Sequence, residues 1–117
     1  SYLQSNFNVV SIEGELITIN KSWDDGRSQL VFVNVGASML MISSPIAAIS
    51  DINVDVALQF LSDMNNPFGV RKVGEFLAVS NIGFTETTDA VELDFPINLI
   101  AEGADEIEKA LHGKDIL

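Results

Sequence analysis

Residues 89–111, Asp-Ala-Val-Glu-Leu-Asp-Phe-Pro-Ile-Asn-Leu-Ile-Ala-Glu-Gly-Ala-Asp-Glu-Ile-Glu-Lys-Ala-Leu, decide the fold of this chain. Within them Ala90, Leu93, Ile97, Ile100, Ala104, Ile107 and Leu111 recur at alternating gaps of three and four. That spacing lays the apolar side chains along one stripe of a helix. Asp89, with Glu92 three residues on, makes a capping box. Residues 104–111 are rich in helix formers, and Gly113 closes the run. Pro96 interrupts the pattern, and Val91, Leu93, Phe95, Ile97 and Leu99 also alternate as a strand would. The residues therefore allow a kinked helix from Asp89, which the unbroken seam favours, or a strand to Phe95 and a helix from Pro96 to about His112.

Upstream of this segment the period falls to two. Residues 8–13 alternate briefly before Gly14, and Leu16, Thr18 and Asn20 alternate with Ile17, Ile19 and Lys21 in a β-branched stretch. Trp23-Asp24-Asp25-Gly26-Arg27 reads as a hairpin loop, because Asp-Gly supplies the positive φ such turns require. Residues 28–35 form the next predicted strand, with Leu30, Phe32 and Asn34 on one face. After Gly36, residues 38–44 form another, with Met39, Met41 and Ser43 opposite Leu40 and Ile42. Pro45 is expected to end that strand or to place it at an edge. Asn53 is a good helix cap, and Val54, Ala57, Leu58, Leu61 and Met64 would line one face of a helix that Asn66-Pro67-Phe68-Gly69 stops. Residues 70–73 and 75–81 read as short strands, continued as strand or loop from Gly83 to Thr87. Tyr2, Leu3 and Phe7 read as the end of a first helix, and Ser1 in place of a methionine implies a trimmed chain. The expected core includes Leu58, Leu61, Ile97, Ile100, Ala104 and Ile107.

At 117 residues, with 47% hydrophobic residues, the chain is long enough for one domain with its own core. No apolar run reaches the roughly 20 residues that span a bilayer. The absence of cysteine excludes disulfides, thiol catalysis and cysteine-based zinc sites, and cytosol fits it. Six Lys+Arg against 17 Asp+Glu give a net charge of −11. Phosphate binding needs clustered cations, whereas only Arg71 and Lys72 are adjacent here, so nucleic acid and anionic membranes are poor partners. Such acidity serves solubility or attracts a basic partner segment.

Candidate chemistry is thin. His112, the single histidine, has no visible orienting partner and reads as a solvated residue near a helix end. Asp24-Asp25-Gly26 lacks the spaced oxygen ligands of a calcium loop and reads as a turn. Glu102, Asp105, Glu106 and Glu108 read as a solvated helix face. Gly69, Gly74 and Gly83 are too dispersed to cradle a phosphate. Phe60, Phe68, Phe76 and Phe84, eight apart, read as core packing, and so do Met39, Met41 and Met64. No catalytic residue, cofactor site or metal site is assigned.

The order strand, strand, strand, helix, strand, strand, helix, with a possible helix in front, resembles the YbjN family, of the group folded like class I type III secretion chaperones (the CesT type). The residues that carry it are Asp25-Gly26-Arg27 before an apolar strand, Ser43-Ser44-Pro45-Ile46 leading to the central helix, and Leu61-Ser62-Asp63-Met64-Asn65-Asn66 at its end. Residues 101–111, with their Ala-Asp-Glu-hydrophobic-Glu pattern, carry the most. Pro96 and a short first helix depart from the family. The resemblance implies a non-enzymatic α+β domain, a twisted, mainly antiparallel sheet with helices on one side. It also implies a chaperone-like or regulatory role in which a homodimer holds a peptide segment or partner protein. Apolar strands with too few helices to cover both sheet faces point to the same pairing. The competing expectations are a small-molecule sensor or enzyme with a pocket between sheet and helix, and a subunit that self-assembles through strand edges.

Overall fold

A computed structural model describes residues 2–64, 68–84 and 93–113 of the chain. The elements run α1 (Tyr2–Asn6), β1 (Val9–Glu13), β2 (Leu16–Ser22), β3 (Ser28–Val35), β4 (Met39–Ala48), a 3-10 turn (Ile49–Asp51), α2 (Val54–Asp63), β5 (Gly69–Val73), β6 (Phe76–Phe84) and α3 (Asp94–Gly113). The six strands form one antiparallel sheet in the order β1-β2-β3-β4-β6-β5, with α2 and α3 on one side. The fold is α+β, as the change of period from two to 3.6 along the chain implies.

The seam of α3 closes the core. Ile97, Ile100, Ala104 and Leu111 are wholly buried, and Leu93 and Ile107 nearly so. They meet the inward residues of the strands, among them Ile19, Val31, Val33, Ile42 and Val79. α3 packs across β3, β4 and β6, the middle of the sheet. Asp94 opens the helix two residues before Pro96. A proline in the first turn removes an N–H that has no intrahelical partner anyway, so the expected kink is unnecessary. The helix start thus lies nearer the second reading of the sequence than the first. Ala90 and the Asp89/Glu92 box lie outside the described residues.

Several local expectations are corrected. Asn53 caps α2 by accepting from the Val56 N–H at 3.2 Å, but Leu58 is 42% exposed and not in the core. The buried stripe of α2 is Ala57 and Leu61, and Leu58 stands about 100° round the helix from Ala57. β4 does not stop at Pro45, and it lies inside the sheet between β3 and β6. Pairing with β3 has already ended at Phe32↔Ser43, and pairing with β6 shifts register between Pro45 and Ala47, which buries both Ile46 and Ala47. Side chains take over where the β3–β4 ladder stops. The Gln29 amide donates to Ser44 Oγ at 2.9 Å and to the Pro45 carbonyl at 2.6 Å, while the Ser44 hydroxyl donates to the Leu30 carbonyl. Gln29 and Ser44 are buried, and this network satisfies them. A proline is therefore tolerated in an interior strand, because here that strand is laddered on one side alone.

Candidate functional site

Among the described residues two surfaces stand out once the core is built. The first is the sheet face opposite the helices. Strand alternation puts Leu16 and Thr18 of β2, Leu30, Phe32 and Asn34 of β3, and Met39, Met41 and Ser43 of β4 on it, as the sequence pattern predicts. The β6 residues Phe76, Ala78, Ser80 and Ile82, with Arg71 and Val73 of β5, extend it by register. Met39 is 48% exposed, Phe76 46% and Ile82 53%. Met39, Met64 and Phe76, expected in the core, are therefore surface residues. Ser43, a small side chain in mid-face, lines a hollow of about 210 Å³ bounded by Leu16, Phe32, Asn34, Met41, Arg71 and Val73. The Arg71 guanidinium rests on the Met41 thioether. None of the 17 acidic residues falls within β2 to β6. Glu13, on edge strand β1, pairs with Leu16 and so shares this face at its margin. Both edges are guarded against strand addition: β1 carries an irregularity between Val9 and Ser11, and five-residue β5 carries Arg71 and Lys72.

The second surface is the outward side of α3, beside the β2–β3 hairpin. Gly26, at φ 86°, makes the turn, and the Trp23 N–H donates to the Arg27 carbonyl at 3.0 Å. Asp25 serves that turn, since its Oδ1 accepts from the Arg27 N–H at 3.0 Å. The turn carries Arg27 to α3, where its Nε and Nη2 donate to Asp105 Oδ1 at 3.0 and 2.6 Å. Lys109 Nζ stands 3.6 Å from the other Asp105 oxygen, and Glu108 lies 4.0 Å from Arg27. The hydrogen bond from Arg27 and the positive charges of Arg27 and Lys109 outweigh burial and hold the Asp105 carboxyl below its usual range. The same bond raises the Arg27 guanidinium further. Asp105 is thus a buried anchor, a correction to the solvated face expected for all four carboxylates. Glu102 and Glu106 do lie exposed.

The remaining sequence candidates are placed plainly. His112 falls in the last turn of α3, and its side chain lies outside the described residues, as does that of Phe84, while Gly83 belongs to β6. Gly74 turns the β5–β6 hairpin and Gly69 begins β5, so they stand apart from any shared loop. Phe60 and Phe68 are half-buried against the core. Among the described residues no group of three His, Cys, Asp or Glu could hold a metal ion, and no helix is long and apolar enough to cross a membrane. No protein-family model, curated protein or solved structure significantly matches the chain.

The Arg27–Asp105 bond escaped the sequence because its partners are 78 positions apart. The local signal was Ala101. It is buried with Ala104, widens the seam by one row, and puts Asp105, four residues on, at the seam's margin.

Proposed function

We propose that this chain is a non-enzymatic, cytoplasmic binding or chaperone-like regulatory domain of the YbjN type, which forms a homodimer and holds a peptide segment or partner protein. The supporting observation is the uncovered sheet face, which exposes Met39, Phe76 and Ile82 among small polar residues and has no carboxylate within β2 to β6. An apolar face of that kind is a liability on a monomer and a ready surface for a second copy. Copies meeting there keep the carboxylates of the turns and of α3 at a distance from one another. The helical side is then left to the partner. A sensor or enzyme with a pocket between sheet and helix draws less support, because side chains fill the seam there.

A pull-down from native lysate at physiological and at high salt tests the partner-holding role. A stoichiometric protein partner is the expected result. A chain recovered alone at both salts, or one that turns over a small molecule, would count against it.

A further inference from the structure

The outward side of α3 carries an apolar hollow of about 300 Å³, walled by Met64, Phe68 and Leu99 and floored by Gly103 and Ile107. Gly103 is needed there. A Cβ at this position would lie 2.5 Å from Phe68 Cε2 and 2.8 Å from its Cζ, so the bare backbone lets the ring seat on the helix. A second hollow of about 230 Å³ lies on the other flank, lined by Trp23, Asp25 and Lys109. Glu102 and Glu106 line both, so the two hollows meet along a pair of carboxylates one helical turn apart. The local cations are spoken for, since Arg27 and Lys109 both face Asp105. Among the described residues neither Glu102 nor Glu106 has an ion-pair partner. Like charges four apart weaken a helix slightly, and a cation between them relieves that cost.

We propose that this surface docks a cationic amphipathic segment of a partner protein, with an apolar anchor beside Phe68 and Lys or Arg side chains on Glu102 and Glu106. The inference deepens the partner-holding role and rests on it. Charge complementarity selects the occupant. A chain of net charge −11 draws a basic segment from a distance. A second copy docked here would bring four carboxylates together, and an uncharged apolar ligand would leave Glu102 and Glu106 unanswered.

The test titrates the purified chain with a synthetic peptide of Leu and Lys at helical spacing. Controls are an uncharged Leu/Gln peptide and an anionic Leu/Glu one. Trp23, the single tryptophan, lines the second hollow and reports binding by its emission. Saturable binding of the cationic peptide alone is expected. Glu102→Gln/Glu106→Gln should weaken it about tenfold, the loss of two exposed ion pairs. Glu13→Gln/Glu15→Gln changes the net charge equally at a remote hairpin and should leave binding unchanged. Equal weakening by the two double variants would reduce the attraction to bulk charge and overturn the site. So would equal binding of the uncharged or anionic peptide, or no binding of any. Failure of these titrations with a stoichiometric partner still recovered from lysate removes this site alone, whereas a chain without any partner removes the role beneath it.

Discussion

The open sheet face and the outward side of α3 both expose apolar side chains to water, yet they differ in charge. On the sheet, five neighbouring strands carry no Asp or Glu, and Phe32, Met39, Met41 and Ile82 lie among small polar residues. On α3, Met64, Phe68 and Leu99 border Glu102 and Glu106. Apolar area alone would make both surfaces equally adhesive. In the proposed reading charge gives them different occupants: the face whose five strands lack carboxylates meets a second copy, and the carboxylate-lined one repels a copy and attracts a cation.

The largest effect separates the covered side of the sheet from the open one on a single strand. Ile42 points into the core and Met41, its neighbour on β4, points out. Ile42→Ala should cost about 2–5 kcal/mol of stability. Met41→Ala should cost well under half of that in dilute protein, where no second copy covers it. Urea melts of the two variants check this, and equal losses would place a covering element on the open face.

Next comes the anchor of α3. Because the folded Asp105 carboxyl titrates below its unfolded value, its contribution is complete above the ordinary carboxylate range and drains away as pH falls through that range toward the folded value. Asp105→Asn should lower the melting temperature by a few degrees at pH 7, and the gap to wild type should narrow as the pH falls below the ordinary carboxylate range. Thermal melts by circular dichroism across that range are the check. A gap that widens on acidification would contradict the sign.

A smaller effect is expected at Gly103→Ala. Alanine favours the helix over glycine by up to about 1 kcal/mol, but its Cβ displaces the Phe68 ring. Stability should therefore change little while the hollow beside Phe68 loses its wall, a change visible in the chemical shifts of the Phe68 ring. The smallest is Glu102→Gln/Glu106→Gln, which relieves an i, i+4 repulsion and should raise stability by about 0.2–0.5 kcal/mol.

What the sequence made legible follows the reach of its periodicities. Ile97, Ile100, Ala104 and Ile107 were placed in the core because burial at helical spacing is a local pattern, and alternation in the same way grouped Leu30 with Phe32 and Met39 with Met41 on shared strand faces, without saying which face a helix covers. Leu58 was misplaced because a stripe of two buried residues, Ala57 and Leu61, leaves the orientation of a short helix loosely set. Pro45 misled because its tolerance depends on where the β3–β4 ladder ends, a property of two strands together. The methionines and Phe76 were given to the core on hydrophobicity, which says nothing about the side of the sheet a helix will cover. Of the candidate surfaces, the exposed carboxylates Glu102 and Glu106 were legible, whereas the apolar residues beside them and the juxtaposition of both were not. Phe68 meets Gly103, and Trp23 comes to flank Glu102, only through the fold.

The mass of the chain in solution tests most directly the proposal that two copies meet on the open face. Light scattering on wild type and Ile82→Glu, at low and at physiological salt, reads it. Ile82 is exposed in the single chain, and circular dichroism checks that the substituted chain keeps the fold. Wild type should pair, and pair more strongly as salt rises, because repulsion between chains of net charge −11 is screened over about 8 Å at physiological ionic strength. Ile82→Glu should remain a monomer at both salts. A monomeric wild type at high protein concentration in both salts, or an Ile82→Glu variant that pairs as well as wild type, would contradict it.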